Sequence, residues 1–220
     1  MPIALTNRGV VAAQSPSVRL RWTAPVLATA LAGLVWSTRA YLVGPRLEFL
    51  WWNLALAWLP WLLTAAWLRA GGAWRWLLGA AWLVFLPNAP YLVTDLVHLK
   101  GRPPVPLWLD VLLLASFALA GLSLGWTSLD AVSRALSPRL GRWGSFGFVS
   151  AVLLLTGFGI YLGRFLRLNS WDVVIDPLGV AASVVRSLTE PRALFFSFAF
   201  ALLVGAGYLL VAPPVLEGRS

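Results

Sequence analysis

The chain has 220 residues, 60% of them hydrophobic and 11% charged, with 17 Lys and Arg against 8 Asp and Glu, and no cysteine. Soluble domains run at about 45–50% apolar and about 25% charged, so a soluble globular domain is excluded, and so are disulfides, thiol catalysis and thiolate metal sites. The net charge of +9 does not signal nucleic acid, because the basic residues stand singly at the ends of apolar stretches instead of forming a basic, aromatic-interleaved face.

Six long charge-free stretches, 22–38, 49–68, 76–94, 111–129, 143–163 and 193–216, set the architecture. A helix needs about 20 apolar residues to cross a hydrocarbon core about 30 Å thick. The expectation is an all-α integral membrane protein: a six-transmembrane-helix bundle filling 1–220 as one domain, with spans at 22–43, 48–68, 74–99, 107–129, 145–166 and 193–212. Most of the 14 Trp residues lie near span ends, where indole rings favour the membrane–water interface.

Arg8, Arg19 and Arg21 precede the first apolar run and imitate a signal peptide. Without a clear small-residue cleavage site, that run reads as a retained first span. Pro60 in the second span predicts a kink tolerated by packing against neighbouring helices. The third span runs into FLPNAPYLVTDLVHL, where Pro87 and Pro90 each remove a backbone donor and clash with the preceding turn. Two prolines so close predict a break between Leu86 and Tyr91. Pro87 lies about 18 Å along the helix from Arg75, at a depth where irregular backbone survives only when buried in protein or lining a watery cavity. Spans four and five carry Gly121/Gly125 and Gly159/Gly163, pairs whose spacing lets helix backbones approach closely. Packing within the chain is favoured over a homodimer face. Between spans five and six, Asp176–Pro177 is a helix-start signal, followed by Leu178, Ala181, Val185 and Leu188 at helical spacing. A surface amphipathic helix is expected there, along the membrane.

Lys and Arg near span ends set orientation. Nine fall on the side of the termini (Arg8, Arg19, Arg21, Arg69, Arg75, Arg134, Arg139, Arg142, Arg219) and eight opposite, so the count is nearly balanced. The flanks of span one lean towards cytoplasmic termini. Whichever way the chain faces, the two densest polar motifs share the side opposite the termini, together with Asn53 and Asp110. Asn88, Tyr91, Asp95 and His98 recur every three or four residues and form one stripe if helix resumes after Pro90. Arg164 and Arg167 share a face at the end of span five, ahead of Asn169 and Asp172. Ionisable groups at the membrane edge are candidate functional residues by default.

Each has a plainer reading. Asp110 at a helix start suits the helix dipole, and the two arginines also serve as headgroup anchors. Asp95 and His98 offer two metal ligands at three-residue spacing, but His98 is the only histidine and no zinc-helix pattern is present, so no metal site is assigned. No nucleophile elbow, phosphate loop or dinucleotide fingerprint appears, and no cofactor is indicated.

The strings WLVFLPNAPYLVTDLVHL and FGIYLGRFLRLNSWD, with WLDVLLLASFALAGLSLG between them, resemble the bacterial membrane-protein family catalogued as domain of unknown function 1361, over about residues 30–212. The resemblance implies a polytopic protein of the bacterial inner membrane and implies no activity.

Three functions remain open. An enzyme acting on a lipid or envelope glycan would use Asp95 or His98 as acid/base, with Arg164 and Arg167 binding an anionic lipid headgroup and Asn88, Tyr91, Asn169 and Asp172 around the ligand. A small transporter, in need of a dimer, would use the broken third span. A structural or accessory subunit would use the polar motifs only to lock the bundle. The partners expected are the bilayer itself and an anionic lipid or small molecule. The enzyme stands slightly ahead because the polar groups gather at one surface. Asp95 is expected within about 4 Å of Arg164 or Arg167, with Tyr91 and His98 bordering one pocket.

Overall fold

The computed structural model describes residues 21–100 and 105–211. Arg8, Arg19, Arg102 and Arg219 of the orientation count, and the basic stretch ahead of the first span, lie outside the described residues. Every regular element among the described residues is helical: α1 (Thr23–Val43), α2 (Phe49–Trp67), α3 (Gly72–Phe85), α4 (Asn88–Tyr91), a 3-10 helix (Leu92–His98), α5 (Leu107–Phe165), α6 (Asp172–Ile175), α7 (Pro177–Leu188) and α8 (Pro191–Val211). Five helices are long and apolar enough to cross a membrane: α1, α2, the run Gly72–His98, α5 and Pro191–Leu210. A helix suits that setting because it satisfies its own backbone groups.

The 59 residues of α5 contain one non-helical residue, Gly141, at φ 65° and ψ −175°. That region is nearly closed to residues with a Cβ. A Cβ on Gly121, twenty residues before the turn, would run into the carbonyl of Ala89, while one on Gly159, eighteen after it, would sit 2.5 Å from Pro87 Cγ. Both arms of α5 therefore touch the same short segment, and the chain folds back at Gly141. Gly125 and Gly163 extend the two contacts to Pro90 and Tyr91. The two glycine pairs thus clamp 87–92 from opposite sides within one chain.

The clamped segment tightens instead of unwinding. α-Helical bonding lapses at Leu86 and Pro87, yet both keep right-handed dihedrals (φ −55°, ψ −38° and φ −56°, ψ −27°). Ala89 N–H reaches only three residues back, to the Leu86 carbonyl at 3.1 Å. The carbonyls of Phe85 and Val84 at the end of α3 accept from side chains, Asn88 Nδ2 at 3.0 Å and Ser170 Oγ at 3.2 Å. Proline removes a donor, and those two side chains supply donors to α3's last turn.

Three apolar clusters make the core. One joins α1, α2, the clamped segment and the start of α5 (Ala32, Leu50, Leu54, Leu92, Phe117). Another joins α2, α3, both arms of α5 and α8 (Trp67, Trp82, Val132, Val152, Tyr208), and a third joins α5 and α8 (Ile160, Phe200, Val204). At Pro60, Ser128 Oγ lies 2.7 Å from Thr64 Oγ1 and accepts from Trp82 Nε1 at 2.7 Å, which ties α2, α3 and α5 together. After the second arm, the Asp176 carboxylate caps α7 by accepting from Gly179 N–H at 3.0 Å. Leu178, Val185 and Leu188 on α7 are exposed.

Candidate functional site

Asp95 is the most enclosed of the candidate residues, 1% exposed on the 3-10 helix. Asn53 Nδ2 on α2 donates to its Oδ2 at 2.8 Å, and Arg164 Nη1 on α5 to its Oδ1 at 3.4 Å. Arg164 donates further to the Tyr91 hydroxyl at 3.3 Å and the Thr94 carbonyl at 3.1 Å, with its guanidinium carbon 5.7 Å from the Tyr91 ring centroid. A continuous relay results, Asn53–Asp95–Arg164–Tyr91, drawing on α2, the 3-10 helix, α5 and α4. A buried carboxylate is tolerable only when paired and hydrogen-bonded, and here it is both.

His98 stands apart from the relay's bonds. Its Nδ1 lies 3.1 Å from the Asp95 carbonyl and 3.9 Å from the carboxylate, its ring packs on Phe49 with centroids 4.8 Å apart, and its side chain is 40% exposed.

A cavity of about 770 Å³ opens beside the relay. Its apolar walls include Leu56, Leu155, Phe158, Val180, Val184 and Leu194, from α2, α5, α7 and α8. Asn53, Asn88, Tyr91, Asn169 and Ser170 give it polar groups. Asn53 and Tyr91 are the two ends of the relay, so the buried ion pair holds two cavity-lining side chains in place. Asn88 Nδ2 also donates to Ser170 Oγ at 2.9 Å, tying the chain after α5 to the clamped segment.

Among the sequence candidates, Asn88, Tyr91 and Asn169 line the cavity; Asp95, His98, Arg164, Arg167 and Asp172 do not. The pocket expected to border both Tyr91 and His98 reaches only Tyr91. The Asp172 carboxylate accepts from Asn169 N–H at 2.6 Å, closing the turn before α6. Arg167 is exposed at φ 60°, a conformation that costs roughly 1–2 kcal/mol where a Cβ is present. Ser170, set aside in the sequence as too weakly placed for a nucleophile, and the donor role of Asn53 were not among the expected site residues. The usable signal was position alone, on the side of the two polar motifs. Asp110 carries more than a dipole role, since Arg39 Nε donates to its Oδ1 at 2.7 Å across the α1–α5 contact.

Among the described residues, no group of three or more His, Cys, Asp or Glu could hold a metal ion. No curated protein and no solved structure matches the chain. Residues 52–206, most of the chain and all of the relay, match the family described as protein of unknown function (DUF1361), and the chain belongs to that family.

Proposed function

We propose that the chain is a multi-pass protein of the bacterial inner membrane that binds a membrane amphiphile, a lipid or a lipid-linked envelope glycan, in the cavity beside the relay. Each arm of α5 counts as one crossing, because 59 residues of helix would span about 88 Å, far beyond one hydrocarbon core. That gives six crossings and so puts both termini on one side, which the basic flank of the first span marks as cytoplasmic, with the run Gly72–His98 as a discontinuous third span and α7 along the membrane surface, its exposed apolar residues among the lipids.

The cavity carries this reading. Its volume falls within the usual range of ligand sites, about 300–1,000 Å³, and an apolar enclosure with a few fixed polar groups suits a hydrophobic chain with a polar head. Catalysis by Asp95 or His98 is the weaker reading, because Asp95 is enclosed and fully bonded and His98 packs on Phe49. Asp95 is better read as a positioning residue that acts through Asn53 and Arg164. Native mass spectrometry of the chain extracted from its membranes tests the proposal. Wild type should carry a co-purifying amphiphile, and Leu56→Trp and Val184→Trp, which fill the cavity from two sides, should lose it. Equal retention in all three proteins would overturn the reading.

One observation favours a second reading, transfer of the amphiphile between leaflets. A smaller cavity of about 400 Å³ lies between α5 and α8, and Leu154 lines both. If Leu154 separates two stations, Leu154→Ala in proteoliposomes should speed the flipping of a labelled lipid, and an unchanged rate would dismiss transfer.

A further inference from the structure

Two non-glycine residues among those described have positive φ, Leu47 at 62° and Arg167 at 60°. In that region the Cβ crowds the backbone, so a residue other than glycine stays there only when its surroundings compensate. Leu47 is compensated by packing against the first core cluster. Arg167 lies just past the end of α5, where the Leu168 N–H donates back across it to the Leu162 carbonyl at 3.3 Å, and its exposed side chain enters no ion pair among the described residues. Glycine would occupy the position without strain, as Gly44 does at φ 86° beyond the end of α1. Glycine is the usual residue at such a helix end, so the arginine side chain is free for a use of its own.

Its place supplies that use. Leu162 and Gly163 before it and Leu168, Asn169 and Ser170 after it all line the large cavity. The nearby charges are already committed: Arg164 to Asp95, and the Asp172 carboxylate to the Asn169 backbone. Arg167 does not itself line the cavity, but its chain neighbours on both sides do, and its guanidinium has no ion-pair partner among the described residues.

We infer that Arg167 is the headgroup receptor of the cavity, taking the phosphate of a phosphate-bearing amphiphile whose chain lies along the apolar walls. The inference rests on the amphiphile-binding proposal. A guanidinium presents a planar fork of N–H donors that matches two phosphate oxygens, and a cation at a helix C-terminus stays soluble at the membrane edge. Phosphate is preferred to carboxylate because it leaves further oxygens for the neighbouring donors, the Asn169 amide and the Tyr91 hydroxyl.

The test uses the full chain in maltoside micelles, with hexadecyl phosphate, hexadecanol, hexadecanoate and inorganic phosphate as probes, read by native mass spectrometry and melting temperature. Wild type should bind hexadecyl phosphate about tenfold or more tighter than hexadecanol or hexadecanoate, and inorganic phosphate weakest of all. Arg167→Gly should melt at the same temperature or higher, because the strain is relieved, yet lose about tenfold in hexadecyl phosphate affinity while binding hexadecanol unchanged. Arg167→Asn, which tolerates positive φ without a charge, should behave alike, and Arg167→Lys should retain part of the affinity. Hexadecyl phosphate affinity within about twofold of wild type in the Gly and Asn variants would overturn the inference and leave the cavity proposal standing. A lowered melting temperature in both would overturn it too, by assigning Arg167 a structural role. Hexadecanoate bound as tightly as hexadecyl phosphate would remove the phosphate assignment, and inorganic phosphate bound as tightly would remove the amphiphile. No binding of any long-chain probe to wild type would sink the cavity proposal itself.

Discussion

Two of the three buried aspartates among the described residues each face an arginine from a distant part of the chain, and the pairs differ in build. Asp110 and Arg39 form a short contact, Nε to Oδ1 at 2.7 Å, with Arg39 also donating to the Gly44 carbonyl at 3.1 Å. Neither residue lines either of the two cavities described above. Asp95 and Arg164 meet at a longer 3.4 Å, and both share themselves with other groups: Asn53 on one side, Tyr91 and the Thr94 carbonyl on the other. The first pair closes on itself and staples α1 to α5. The second is extended, and its ends reach a cavity wall. Identical chemistry thus serves a joint in one place and a scaffold for a cavity wall in the other.

Stability measurements on the carboxylates can break that contrast. Asp110→Ala should have the largest effect, because it strands a guanidinium that is 3% exposed, and removing one partner of a buried pair costs about 3–5 kcal/mol. Unfolding in mixed micelles reads it, and Arg39→Leu with Asp110→Leu together should recover most of the loss. Asp95→Ala should cost less, about 1–3 kcal/mol, because Arg164 is 20% exposed and keeps two other acceptors. The same variant should lose the co-purifying amphiphile, as Asn53 and Tyr91 lose their common anchor. If Asp95→Ala proved costlier than Asp110→Ala while leaving ligand retention intact, the roles would be reversed.

Two smaller effects sharpen the picture. Tyr91→Phe removes one long hydrogen bond from Arg164 and leaves the ring on Gly163, so about 1 kcal/mol or less is expected in stability, with a measurable loss of ligand retention. His98→Ala should change stability by less than about 0.5 kcal/mol and leave retention unaltered, since the side chain is 40% exposed and lies 3.9 Å from the Asp95 carboxylate, beyond hydrogen-bond reach. A loss of retention in that variant would restore His98 to the site.

Much of the architecture was legible because lipid imposes a blunt rule on charge, and the charge-free runs marked the helices. Their ends were less legible. The span expected to stop at 129 continues as helix to the turn at Gly141, with Asp130 and Arg134 paired at 2.8 Å one turn apart inside it. Charge marks the edge of the hydrocarbon, and helix can extend beyond that edge. The Asp95–Arg164 approach could be anticipated from depth alone, since both residues were placed near the same membrane edge. The Arg39–Asp110 bond could not, because it depends on which face of α1 meets α5, and the apolar residues of α1 mark no single face. Asn88 was singled out as a polar group at a break. Its donation to the Phe85 carbonyl required knowing that the helix would tighten there.

The clamp on residues 87–92 also dictates the order in which the molecule can be completed. Translation delivers that segment before either set of glycines, and the first arm of α5 before the second. The cavity walls supplied by 154–163, α7 and α8 therefore emerge last. Until then the polar stripe from Asn88 to Asp95 has only α2 and the first arm of α5 against it, and Asp95 lacks its counter-ion. The nascent chain thus passes through an interval in which the Asp95 carboxylate lacks its arginine, ended when Arg164 leaves the ribosome and the second arm docks. The latest-made third of the protein completes both the charge balance and the cavity walls.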